Sequence, residues 1–169
     1  ARFLSERPGV TMDLQERLTH DIVRSVLDGT ADLGIVSGDV GSDGLEAIRF
    51  STDRLMLAIP SIHPLASNET VQLSETMEFE HIGLHEGSTL LDFLRRQHRR
   101  NGYDRSLRIQ VRSFEAMCRI VEAGVGIGVV PESAARRHVQ TMDIKLLRLT
   151  DDWAVRDRVV LIRNRNALP

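Results

Sequence analysis

The period of the apolar positions changes several times along the chain, and each change marks an expected element. Phe3 and Leu4, closed by Pro8-Gly9, read as the tail of a helix; one this short is marginal in water, which suggests a longer helix that has been cut. Val10, Met12 and Leu14 alternate with Thr11, Asp13 and Gln15, the period of a strand with one buried face. Ile22, Val23, Val26 and Leu27 then fall on one helical stripe, with Thr19 to cap the start, Asp21 near its positive end and Gly29 to take a left-handed close. The run 31–36 is short and largely apolar, as in a strand buried on both faces, and the polar, glycine-rich loop 37–44 follows it. Strand, helix and strand predict a βαβ unit with a parallel pair. Residues 45–50 and 54–60 read as two further extended segments before the turn at His63-Pro64-Leu65-Ala66.

Beyond this waist near Pro60 the alternation repeats. A short helix over 74–77 leads to the strand His81-Ile82-Gly83-Leu84, then to a helix from Ser88-Thr89 through Leu90, Leu91 and Leu94 to Asn101-Gly102. Leu107, Ile109 and Val111 alternate as a strand. Phe114, Met117, Cys118 and Val121 form the apolar face of a helix that starts after Ser113 and ends at Ala123-Gly124. Ile127-Gly128-Val129-Val130 reads as a buried strand stopped by Pro131, residues 132–139 as a helix, and 144–149 and 158–162 as late strands. The order predicts an α/β fold with two βα-rich lobes.

Length fits this picture, since 169 residues make one domain or two small lobes on one chain. Lys and Arg total 22 against 24 Asp and Glu, and a net charge of -2 excludes a domain that binds nucleic acid through its overall field. Apolar runs fall short of the roughly 20 residues a membrane helix needs. The single cysteine, Cys118, excludes an internal disulfide and fits a reducing compartment. No secretory signal opens the chain, and without an initiator Met its first residue is not expected to be the native N-terminus.

Catalytic patterns do not emerge. Gly124-Val125-Gly126-Ile127-Gly128 does not match GxGxxG and enters a strand instead of opening a helix; there is no phosphate loop, nucleophile elbow or SxxK pair. Asp151 and Asp152 are neighbours, which on an extended chain point to opposite faces, and they read as a solvated loop. His81 and His85 would lie about 13 Å apart along a strand, too far to share a metal ion. Cys118, on the apolar stripe of its helix, reads as a buried inert thiol. Arg95, Arg96, Arg99, Arg100 and His98 lie opposite Leu90, Leu91 and Leu94, the pattern of a solvated helix face, with an acidic protein partner as the functional alternative.

The strand-to-helix junctions carry more information. In open α/β sheets ligands bind at the carboxyl ends of the strands. Ser37-Gly38, Gly87-Ser88-Thr89 and Ser113 before Phe114 place small or hydroxyl residues there. The free N–H groups of a helix start, with a hydroxyl beside them, suit a carboxylate or another small anion. Ordinary capping explains Ser88 or Ser113 taken singly; convergence of three junctions on one cleft would favour a ligand site.

Four segments, in this order, resemble the effector-binding domain of LysR-type transcriptional regulators. They are Pro8-Gly9-Val10 leading to Leu14-Gln15-Glu16-Arg17, the run Leu27-Asp28-Gly29-Thr30-Ala31-Asp32-Leu33-Gly34-Ile35, then His63-Pro64-Leu65-Ala66, and Val121-Glu122-Ala123-Gly124-Val125-Gly126-Ile127-Gly128-Val129-Val130-Pro131. The resemblance implies two Rossmann-like lobes joined by two crossover strands, the type 2 periplasmic-binding-protein fold. Lobe I would comprise residues 1–60 and 159–169 and lobe II residues 61–158, with crossovers at 55–60 and 158–162.

The same resemblance implies a small-molecule effector in the interlobe cleft, with a carboxylate as the class the junctions favour. The effector residues it carries over are Ser37, Gly38, Ser88, Thr89, Ser113, Phe114, Val125 and Gly126. No enzymatic activity, cofactor or metal is implied. A homodimer or homotetramer, a cytoplasmic location without a membrane partner, and contact with operator DNA only through an N-terminal domain absent from this chain are. The family domain opens with a strand and a hydroxyl-bearing loop that do not precede Ala1 here, and closes with a helix beyond Pro169, so lobe I is expected to be incomplete. A solute-binding protein of a transport system shares the fold and is the alternative reading.

Overall fold

The computed structural model describes residues 2–15, 17–38, 43–98, 104 and 107–163. Among them, helices α1 (Arg2–Ser5), α2 (Thr19–Leu27), α3 (Thr89–His98), α4 (Phe114–Glu122) and α5 (Glu132–Ala135) alternate with strands. The strands are β1 (Gly34–Ser37), β2 (Leu45–Pro60), β3 (Thr70–Val71), β4 (His81–Leu84), β5 (Leu107–Val111), β6 (Gly128–Pro131), β7 (Ile144–Leu149) and β8 (Val155–Arg163).

The long strand β2 organises the molecule. Its residues 45–54 pair antiparallel with β8, whose other edge pairs with β1. Its residues 55–60 pair with β6 and β7, and β3 adds to the far side of β7. The parallel pair β4 and β5 joins β6 through a parallel bridge between His81 and Ile127. β2 and β8 are thus the two crossings between a first lobe and a second. Along β2, residues 45–54 thus pair on the β8 side and residues 55–60 on the β6 and β7 side. The extended segments 45–50 and 54–60 are one strand, because β8 carries the polar stretch between them through continuous pairing with a single register shift at Arg49/Ser51.

The second lobe has three layers. Leu57 and Ile59 of β2, Val129 of β6 and Leu147 of β7 bury one side of the sheet under Leu90, Leu91 and Leu94 of α3. Ala58, Val130 and Ile144 bury the other under Met117, Cys118 and Val121 of α4 and Ala135 of α5. Covering both faces explains why these strands read as continuous apolar runs. The first lobe is thinner: α2 packs Val26, Ile22 and Val23 on Val36, Leu45 and Leu161.

Several expectations need correction. Residues 10–15 form no strand, and Leu14 is 86% exposed. Period-2 alternation holds a strand only where a neighbour supplies backbone hydrogen bonds, and among the described residues no strand pairs with this segment. The expected parallel βαβ unit is therefore not formed; β1 pairs antiparallel with β8. β1 is also buried on one face only, with Gly34 and Val36 under α2 and Ile35 58% exposed. Thr19 begins α2 without capping it, and Leu18 stands at the cap position. The helix expected over 74–77 is a 3-10 turn, Leu73–Thr76, and that over 132–139 divides into α5 and a 3-10 turn, His138–Gln140. The expected end of α3 at Asn101-Gly102 lies outside the described residues.

Candidate functional site

Because β4, β5 and β6 run parallel, their carboxyl ends Leu84, Val111 and Pro131 share one end of the second sheet. The turn after β4 is short: His85 N–H donates to the Val111 carbonyl (2.8 Å) and Ser88 N–H to the His85 carbonyl (3.0 Å). Gly87 takes φ +84°, and a Cβ there would stand 3.7 Å from Leu18 Cδ1, so this turn abuts the first lobe. Arg95 of α3 fixes it with two bonds to the Glu86 carboxylate (2.7 and 2.8 Å), and Gln110 adds a third (3.0 Å). The Arg95 bonds, then the Gln110 bond, hold the Glu86 carboxyl at about 2. Ser88 is buried at the start of α3, while Thr89 is exposed.

Ser113 Oγ accepts from Ala116 N–H (3.2 Å), a helix cap at the same end of the sheet, and Phe114 beside it packs half-buried against both second-lobe clusters. Ser37 and Gly38 end β1 on the opposite wall. The structure thus brings Ser37, Gly38, Ser88, Thr89, Ser113 and Phe114 to the facing ends of the two lobes. It does not bring Val125 and Gly126 there. They precede β6 at the other end of the sheet, where a Cβ on Gly126 would stand 2.4 Å from the Glu80 carbonyl oxygen. Glycine at 126 is required by the close approach of backbone before β4.

The floor of the cleft comes from the crossings. Asp53 of β2 accepts from Ser133 Oγ (2.6 Å) and Ser133 N–H (3.3 Å) at the start of α5, and from Arg158 of β8. Arg158 also donates to Ser133 Oγ (2.6 Å). One carboxylate therefore ties both crossings to the second lobe. Two positions along β8, Arg156 donates to the Ser37 carbonyl (3.0 Å) and lays its guanidinium 4.3 Å above the Phe93 ring of α3, joining the two lobes a second time. Gly38 takes φ +89°, and a Cβ there would stand 2.6 Å from Arg156 Nη2. Burial, and the positive charge of nearby Arg96, lower the pKa of Arg156. Beside Asp53 and Ser133, a cavity of about 440 Å³ is lined also by Thr52, Arg54, Glu132, Arg136 and Val155.

Sequence reasoning missed Asp53, Ser133, Arg156 and Arg158. The signal was present in the alternation of Val155-Arg156-Asp157-Arg158, which puts both arginines on one face once the strand is extended back to 155. His98 also differs from expectation: it is buried, with its ring 5.4 Å from that of Trp153, and does not lie on a solvated face. Asp151 is no free loop residue either, since its carboxylate accepts from Leu73 N–H (2.9 Å). Cys118 is buried, and burial pushes its thiol up to about 11. Arg99 and Arg100 lie outside the described residues. Among the described residues no His, Cys, Asp and Glu cluster is arranged to hold a metal ion, and no helix is long and apolar enough to cross a membrane.

A model of the LysR substrate binding domain matches residues 1–169. A probable RuBisCO transcriptional regulator of Trichormus variabilis is 27% identical over 170 residues, covering 97% of this chain and 50% of that protein. One of Cyanidium caldarium is 29% identical over 144 residues, covering 82% and 45%. The chain spans about half the length of these relatives. Among solved structures, the Synechocystis CcmR regulatory domain in complex with 2-PG superposes with a TM-score of 0.82 at 20% identity, over 97% of this chain and 79% of that one. The BenM effector binding domain with benzoate superposes with a TM-score of 0.76 at 22% identity, over 96% and 74%.

Proposed function

The chain belongs to the LysR substrate binding domain family, with its type 2 periplasmic-binding-like fold, and from this we propose that it is the small-molecule sensor of a longer transcriptional regulator. The observation that carries the reading is the cleft itself. Two lobes joined by β2 and β8 face one another across Ser37-Gly38 on one side and Ser88-Thr89 and Ser113-Phe114 on the other. An effector touching both walls stabilises one interlobe angle over another, and a coupling of about 1–3 kcal/mol between effector and operator sites suffices for regulation.

In this reading lobe I supplies residues up to Arg54 and β8, and lobe II the residues between. Ser37, Gly38, Ser88, Thr89, Ser113 and Phe114 contact the effector; Val125 and Gly126 serve the sheet. The regulator assembles as a homodimer or homotetramer in the cytoplasm, reaches operator DNA through a separate N-terminal domain, and catalyses no reaction. The transport alternative shares the fold, but the named relatives regulate transcription, which supports the sensor. Calorimetric titration of the chain with benzoate, shikimate, 2-PG and a wider set of small acids tests the reading. Saturable binding weakened by Thr89→Ala is the expected result. Binding that Thr89→Ala leaves unchanged removes the pocket assignment, and turnover of any of these compounds removes the non-enzymatic reading.

A further inference from the structure

Among the described residues, Arg156 pairs with no carboxylate. Among the described residues, ion pairs at the cleft engage Arg158 with Asp53 and Arg49 with Asp157, and none engages Arg156 or Arg96. The carboxylate opposite Arg156 in the β2–β8 register belongs to Asp53, and that group is already occupied by Arg158, Ser133 and Arg54 N–H. Arg156 instead spends one N–H on the Ser37 carbonyl and one face on Phe93. A half-buried guanidinium in a site of lowered dielectric gains more from an anion than from a neutral carbonyl.

Helix periodicity adds a second cation. Thr89, Phe93 and Arg96 follow one another at i, i+4 and i+7, so they share the face of α3 on which Arg156 rests. Leu90, Leu91, Leu94 and His98 take the buried face. The cleft wall therefore presents a hydroxyl, an aromatic ring and a guanidinium in a row, with Arg156 over the ring and the Ser37-Gly38 backbone beyond it. Arg96 lies close enough for its charge to bear on Arg156. Like charges brought together in this way repel unless an anion sits between them.

We infer that Arg156 and Arg96 form the charge-selecting end of the cleft and take the oxyanion of a small effector, a carboxylate or a phosphate. The inference rests on the sensor reading and narrows it: Arg156 decides the class of effector, and its planar fork can meet two oxygens at once. Chain chemistry outside the anion is left to the walls around Phe93.

Trp153, the only tryptophan of the chain, reports on this place, since its ring lies 5.6 Å from Phe93 in an edge-on contact. The experiment titrates the 169-residue chain with inorganic phosphate, malonate and acetate against sodium chloride at matched ionic strength, following Trp153 emission. Saturable change with phosphate or with the carboxylates, and none with chloride, is expected; which of the two saturates first assigns the oxyanion. Arg156→Gln should weaken that response tenfold or more, Arg156→Lys should restore part of it, and Arg119→Gln, in the last turn of α4 away from the end that Ser113 caps, should leave it unchanged. Arg96→Gln, a substitution at an exposed position, should weaken it several-fold and serves if Arg156→Gln fails to fold. Failure of all three anions to give a saturable response overturns the inference, as does an undiminished response in both variants. A neutral compound that binds the cleft, with an affinity unmoved by Arg156→Gln, overturns it while leaving the sensor reading standing.

Discussion

His81 has 0% exposed surface at the start of β4, and its Nε2–H donates to the Thr76 carbonyl (3.0 Å). Burial pushes its imidazole down to about 4, the Thr76 bond opposing the shift and the nearby His98 adding to it. A base whose folded pKa is depressed binds fewer protons folded than unfolded between these values. Stability from the neutral ring is therefore complete above the ordinary pKa near 6.5 and is lost as pH falls towards 4. The difference corresponds to roughly 3 kcal/mol at full loss. Urea midpoints measured from pH 7.5 to 4.5 should fall in wild type and fall less steeply in His81→Gln; parallel slopes would assign the acid sensitivity to other groups. His98 changes in the same direction through burial, against the pull of Asp151. Its burial was readable: position 98 follows 91 and 94 at i+7 and i+4, on the leucine stripe, and only the charged neighbours Arg95 and Arg96 disguised it.

At the scale of elements, patterns that a neighbour completes were legible and those without one were not. β4, β5, β6 and β7 stand close to where their apolar runs placed them, because each is covered by helices and paired. Residues 10–15 carry as clear an alternation as β5, yet form no strand, since periodicity encodes a face and not a partner. Capping was similarly local: Ser113 caps α4 as its position implied, and Ser113→Ala should cost about 1 kcal/mol, read by thermal unfolding. No loss would mean that the Ala116 N–H finds water in its place. In the glycine-rich run, Gly126 lies against the backbone that precedes β4. Gly126→Ala would drive a methyl into the Glu80 carbonyl and should destabilise by about 1–3 kcal/mol. Effector affinity should survive in the folded fraction, and a selective loss of affinity with unchanged stability would return Gly126 to the ligand site.

For the molecule as a whole, what matters is how firmly the lobes are set relative to one another. Candidate residues on each wall could be picked from strand-to-helix junctions, but their convergence, and the network beneath them, depend on the crossing of β2 and β8, which joins positions 53, 133 and 158. No local pattern encodes such a meeting. Asp53 is the centre of that network, with its side chain 11% exposed and Arg158 33% exposed. Asp53→Asn keeps an acceptor for Ser133 but leaves the Arg158 charge uncompensated. With Arg158 partly solvated the loss should be roughly 1–2 kcal/mol, smaller than for a fully buried pair. The larger effect should be geometric. If Asp53 holds the lobes at the angle that accepts an effector, the variant populates that angle less, and its apparent affinity falls by the same fraction. Small-angle scattering of Asp53→Asn should then give a larger radius of gyration without ligand and return towards the wild-type value at saturation. Unchanged scattering together with unchanged affinity would mean that the lobes are set by Arg156 on Phe93 alone.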